Sequence, residues 1–179
     1  MKHLVLLASL IFVCFNSKAQ TDPVKPFVNN IQIGYAHGYM EYEYDYYGLD
    51  VARSWNADPQ FSTGLGIGLH NYAWGFPGNY RGNIILPIYL DFRYYPLTEK
   101  FAPYALLKGG YAIAIFEDIG VFAQAGVGFK YNYSSRNSLF LNITYGIQNF
   151  QSSSYYFNSG GSDFKFIEAL GLALGWSFR

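Results

Sequence analysis

Few side chains in this sequence could do chemistry, and most of those set within its apolar stretches share one phase. Asp50, Asp91, Arg93, Lys108 and Lys130 fall at alternate-residue positions in step with Gln32, Gln124, Asn142 and Gln148. Brought together, such groups either neutralise one another as a charge and hydrogen-bond network or line a gated ion path, because buried charges need partners. Nucleophilic chemistry would need a histidine beside a serine and an orienting acid. His37 and His70 are the candidates, and neither has a serine within two residues, so only folding could bring Ser152 to Ser154 near one of them. The tip Glu41-Tyr42-Glu43-Tyr44-Asp45 has oxygen ligands of the type Ca²⁺ takes, but reads more simply as a solvated loop. Gly64, Gly66 and Gly68 look superficially like a phosphate-binding loop. Such loops lead into a helix, and glycines at period two read instead as one thin face of a strand.

Composition narrows the setting for these residues. The chain has 179 residues, 12 Lys and Arg against 12 Asp and Glu, and 21% aromatics. Only 13% of it is charged, about half the usual ~25% of a soluble domain. This length suits one domain. A zero formal charge excludes a dedicated nucleic-acid binder, which would need clustered Lys and Arg. Abundant aromatics exclude a disordered chain.

Residues 1–19 read as a secretory signal peptide: Lys2 and His3, the apolar run Leu4 to Phe15, then Ser17-Lys18-Ala19 before cleavage at Gln20. The apolar run would rise only ~18 Å as a helix, short of the ~30 Å hydrocarbon core. Cys14 leaves with it, so the remaining domain, residues 20–179, has no disulfide or thiolate chemistry. No cofactor or metal site is expected.

From residue 29 onward the dominant period is two, which indicates strands. The last segment is the clearest, with Phe164, Phe166, Leu170, Leu172, Leu174, Trp176 and Phe178 on one face and Lys165, Ala169, Gly171, Ala173, Gly175 and Ser177 on the other. A helix would carry Gly171 and Gly175 in its interior at a cost of about 1 kcal/mol each. Seven more segments behave alike: Ile31–Tyr39, Tyr46–Trp55, Phe61–His70, Leu86–Tyr95, Leu107–Ile115, Val121–Tyr131 and Leu139–Gln148. Polar turns follow Trp55, Tyr95 and Tyr133, while Met40–Asp45, Asn71–Asn83, Phe116–Ile119 and Gln151–Asp163 are the loops of the other end.

Alternation does not say which face looks inward, but volume does. The minor face is Gly, Ala, Ser, Asn and Gln with a few charges, which suits the narrow interior of an eight-stranded barrel. Water-facing surfaces are rich in Lys and Glu instead. The Leu, Ile and Val face suits lipid. Aromatics lie at both strand ends, Trp55, Tyr94, Tyr131, Trp176 and Phe178 at one and Tyr39, Tyr72 and Trp74 at the other, as interfacial girdles require. A soluble lipocalin-like barrel that binds a ligand inside is the alternative. Glu168 tests the choice, since it falls on the lipid face and must sit at the outer boundary.

Through Leu86–Tyr95, Pro103–Ala114, Val121–Tyr133 and the ending Leu170–Phe178, the sequence resembles the small outer-membrane β-barrels of OmpA and OmpX type. The resemblance implies an all-β, eight-stranded antiparallel up-and-down barrel in a Gram-negative outer membrane, with periplasmic termini. It implies lipid and, through the C-terminal strand, the barrel-assembly machinery as partners; Arg179 after Phe178 departs from the usual aromatic end. A barrel of this size leaves no open channel, so "porin family" describes kinship only. The expected function is that of a monomeric structural or interaction protein whose loops meet an extracellular partner. A lipid A-modifying hydrolase or acyltransferase using His37 or His70 is the alternative.

Overall fold

In the computed structural model, eight antiparallel strands close into one barrel in the order of the sequence. They are β1 (Phe27–Gly38), β2 (Tyr44–Asn56), β3 (Phe61–Trp74), β4 (Arg81–Tyr94), β5 (Phe101–Ala114), β6 (Gly120–Asn132), β7 (Asn137–Gln151) and β8 (Phe164–Phe178). The structure describes residues 27–39, 44–56, 58–74, 81–114, 120–151 and 164–179. The signal-peptide reading, the acidic residues Glu41 and Glu43, the loop Phe116–Ile119 and the serines at 152–154 lie outside the described residues.

Strand pairing defines the tilt. Stepping between paired residues from Phe27 leads through Trp55, Thr63, Phe92, Leu107, Ala125, Tyr145 and Leu170, and returns to β1 at His37, ten residues further on. A rise of ~3.3 Å per residue against ~4.8 Å per strand gives a tilt of about 40°. The β3–β4 ladder skips Gly68 and Leu69 opposite Leu86 and Pro87, since proline offers no N–H. Closure otherwise pairs the backbone around the wall, which hydrocarbon demands.

The two faces are sharply divided. Ile33, Leu65, Val127, Ile143, Leu172 and Leu174 stand on the outside, each at least half exposed. Asn30, Gln32, Asp50, Asp91, Lys108 and Asn142 are buried inside. A lipocalin-like barrel has the reverse arrangement, so the ligand-binding reading is overturned. A continuous apolar wall of this kind needs lipid around it.

Small interior residues make room for large inward rings. A Cβ on Gly66 would strike the Tyr89 ring, and one on Gly175 would strike the Phe140 ring. Gly110 is more constrained still, because its Cβ would run into the Ile88 carbonyl oxygen of the next strand. Its neighbour Gly109 has nothing within 4 Å of that position. Gly110→Ala is therefore expected to cost about 1–3 kcal/mol and Gly109→Ala close to nothing. Urea unfolding of both variants in lipid vesicles checks the contrast; equal midpoints would contradict it.

The strands run further than the periodicity indicated. Asn71–Trp74 and Arg81–Asn83, expected as loop, belong to β3 and β4. Hence Tyr72, expected in a girdle, is instead buried inside at 5% exposure, two residues beyond inward-facing His70. Tyr46 and Tyr95, at strand ends, also lie inside for the same reason of phase.

Candidate functional site

The interior is the first place where polar residues converge. Nearest the short turns, Arg93 binds Asp91 twice over, Nε to Oδ1 at 3.0 Å and Nη2 to Oδ2 at 2.8 Å. The two residues are next-but-one on β4, so they share the inward face, and both are almost wholly excluded from solvent. Phe140 and Tyr104 hold the guanidinium from the side, with ring centres 4.8 and 5.5 Å away. The Tyr104 hydroxyl donates to Asn142 Oδ1, and Asn142 Nδ2 donates to Gln32 Oε1 at 3.3 Å.

A second cluster sits above this one. Asp50 accepts from Gln32 Nε2 at 2.6 Å, pairs with His70 Nε2 at 3.0 Å, and has Lys108 Nζ at 3.7 Å. Four strands supply these groups: β1, β2, β3 and β5. Lys108 also lies over the Tyr89 ring at 4.7 Å. Toward the mouth, Tyr46 stacks on both His70 and Tyr72, at 5.0 and 4.7 Å, while those two rings lie side by side at 6.4 Å. Gln124 Nε2 donates to the Tyr46 hydroxyl at 3.0 Å, and the Tyr72 hydroxyl donates to Gln148 Oε1 at 2.6 Å.

The expected network is thus one connected interior, with a difference at Lys130. Among the described residues, the partner of its ammonium is a ring, Tyr95 at 5.2 Å, and no carboxylate. Spaces of about 20 and 30 Å³ are left beside Tyr46 and Gln124. Each has room for one or two water molecules. Among the described residues, the arrangement packs paired charges and polar groups into the lumen, with little space left beside them.

The outer wall carries the rest. Trp55 is half exposed; Tyr94 packs on Phe61 at 4.9 Å, Tyr131 on Phe101 at 4.7 Å, and Trp176 on Phe178 at 4.9 Å, all at the short-turn end. At the other end Tyr39 is 60% exposed. Trp74 closes β3, and its side chain is outside the described set. Glu168 lies opposite Ile147, and its carbonyl accepts the Tyr39 N–H at 3.1 Å, just where β1 ends. That is the outer rim, ten residues from Phe178. Its carboxylate takes the Tyr145 hydroxyl at 2.6 Å.

His37 acquires a partner that the sequence did not advertise. Its Nδ1 lies 2.7 Å from Asp45 Oδ1, which also accepts the Tyr35 hydroxyl at 3.0 Å. The pairing of β1 with β2 sets His37 directly opposite Asp45. His70, facing inward, is on the other side of the wall, so the two histidines do not meet.

Neither a family model nor a curated protein matches the sequence. Solved structures share its shape. Neisserial surface protein A superposes with a TM-score of 0.60 at 12% identity, over 86% of this chain and 96% of the other. The outer membrane protein W of E. coli gives 0.57 at 10% identity, over 89% and 100%. The outer membrane enzyme PagL gives 0.55 at 12%, over 82% and 97%. The fold is that of the small outer-membrane β-barrels. At these identities the likeness concerns the fold alone.

Proposed function

We propose that this chain is an integral outer-membrane protein of structural and interaction type, monomeric, exported by cleavage after residue 19 and seated by its apolar wall. Kinship with the OmpA and OmpX group, the barrel-assembly machinery as the reader of the C-terminal strand, and an extracellular partner belong to the same reading. The observation that carries it is the joint state of wall and interior. The wall is apolar from strand to strand, while Arg93, Asp91, Phe140 and Tyr104 fill the lumen, so the working surface is the outer end. There the β7–β8 ladder continues to Gln151 opposite Phe164, whereas β1 stops at Gly38 opposite Ala169. Among the described residues, the extension has an unpaired strand edge that could pair with a partner's backbone.

Deleting Ser152–Gly161 is expected to leave heat-modifiable gel migration unchanged and to weaken surface attachment of cells that express the protein. Unaltered attachment by a folded deletion variant would overturn the role given to the loop that the extension carries. Lipid A modification remains the second reading. The His37–Asp45 pair supplies the orienting acid it needs, and among the described residues no hydroxyl nucleophile is bonded to His37.

A further inference from the structure

The outer wall breaks its apolar pattern where β1 meets β2 near the short turns. Asn29 of β1 is paired with Arg53 of β2 on one side and with Phe178 of β8 on the other. Arg53 is exposed and Asn29 half-buried, while their chain neighbours Val28, Asn30, Ala52 and Ser54 are buried inside. Both polar side chains therefore stand on the outer face. Aromatic rings frame them. Phe27 and Trp55 form the next outward pair toward the turns, each half exposed, and Trp176 packs on Phe178 at 4.9 Å.

Arg53 is turned toward the short-turn end. Its guanidinium lies 4.8 Å from the centre of the Phe27 ring, on the residue next-but-one to its own ladder partner. A long cationic side chain on a lipid-facing strand takes this course to bring its charge to the headgroup level. Among the described residues, neither the guanidinium nor the Asn29 amide is hydrogen-bonded or ion-paired. The Phe27 ring offers no oxygen to those N–H donors, and hydrocarbon offers none either.

In the proposed membrane setting, on which this inference rests, the outer face meets lipid, so the missing acceptor comes on a lipid headgroup. A planar N–H fork beside a second, neutral donor matches a phosphate, which Arg can take through two parallel bonds. With no carboxylate paired to Arg53 among the described residues, a headgroup that brings its own ammonium finds no counter-charge there. We propose that Asn29 and Arg53, framed by Phe27, Trp55 and Phe178, form a binding site for the phosphate of a net anionic phospholipid. The guanidinium fork takes the two free phosphate oxygens and Asn29 Nδ2 donates to one of them. The acyl chains run along the wall past Ile31 and Val51, the next outward pair.

The test is lipid retention by the full-length protein, folded in bilayers of equal parts phosphatidylglycerol, phosphatidylethanolamine and phosphatidylcholine and read by native mass spectrometry. The expected result is about tenfold enrichment of phosphatidylglycerol over the other two, in line with a charge-assisted hydrogen bond. Arg53→Gln should bring the three to parity, and Asn29→Leu should lower the enrichment in part. Arg53→Lys keeps the charge but loses the fork, so it should fall between Arg53→Gln and the wild type. Lys100, over Tyr131 beside β5 on the opposite side of the ring, is the control, and Lys100→Gln should leave the enrichment as it was. Heat-modifiable migration confirms that each variant folds. Equal retention of the three lipids by membrane-embedded wild type would overturn the site alone. So would an equal loss in Lys100→Gln and Arg53→Gln, which would mark the summed positive charge of the rim. If the protein instead fractionates as water-soluble, it is the membrane reading that fails, and the site fails with it.

Discussion

Arg93→Ala is expected to destabilise the barrel by about 3–5 kcal/mol, the usual cost of leaving one member of a buried ion pair alone. Asp91 is 1% exposed and receives three hydrogen-bond contacts from Arg93, at 2.8, 3.0 and 3.2 Å. Truncation strands that carboxylate against the wall and removes the cation on which Phe140 and Tyr104 rest. Lys108 is already engaged with Asp50 and Tyr89, so it is poorly placed to replace the guanidinium. The control is the double variant Asp91→Asn with Arg93→Met, which removes both charges and should recover most of the loss. Urea unfolding in lipid vesicles, followed by tryptophan fluorescence, gives both values. A loss below about 1 kcal/mol in the single variant would show that the pair is not the keystone of the packed lumen.

Leu172→Arg is expected to cost about 2–4 kcal/mol, whereas Tyr133→Arg should cost about 0–1 kcal/mol. Both residues point away from the axis, at 53% and 47% exposure, so burial within the protein does not separate them. Depth does. Leu172 is six residues from Phe178, and at ~3.3 Å per residue along a strand tilted by about 40° it stands about 15 Å above the short-turn girdle. That is near the middle of a hydrocarbon band about 25 Å tall. Tyr133 belongs to the turn end, where an arginine reaches water. The same vesicle assay measures both. Equal costs would mean that the wall does not meet a hydrocarbon gradient, and the membrane assignment would fall.

Much of this molecule was legible before folding was considered. In β8, the alternation of Leu170, Leu172, Leu174 and Trp176 with Gly171, Ala173, Gly175 and Ser177 identifies strand, face and lipid together. The inward phase of Asp50, Asp91, Arg93, Lys108 and Lys130 was legible in the same way. Less was readable at the ends of strands. Tyr46, Tyr72 and Tyr95 lie where aromatic composition suggests a girdle, yet each is in phase with inward residues, and phase prevails because a side chain cannot change face without a bulge.

The sequence alone determined the alternation, since side chains on consecutive strand residues project to opposite faces whatever the strand's neighbours are. It therefore determined a small polar interior, a bulky apolar exterior and the eight segments that carry them. Only the tertiary structure decided who meets whom. Asp50 finds Lys108, Tyr46 finds Gln124 and Tyr72 finds Gln148 across the lumen only once eight pairwise registers have closed with a ten-residue offset. Closure is a sum over the whole ring, so no single segment contains it.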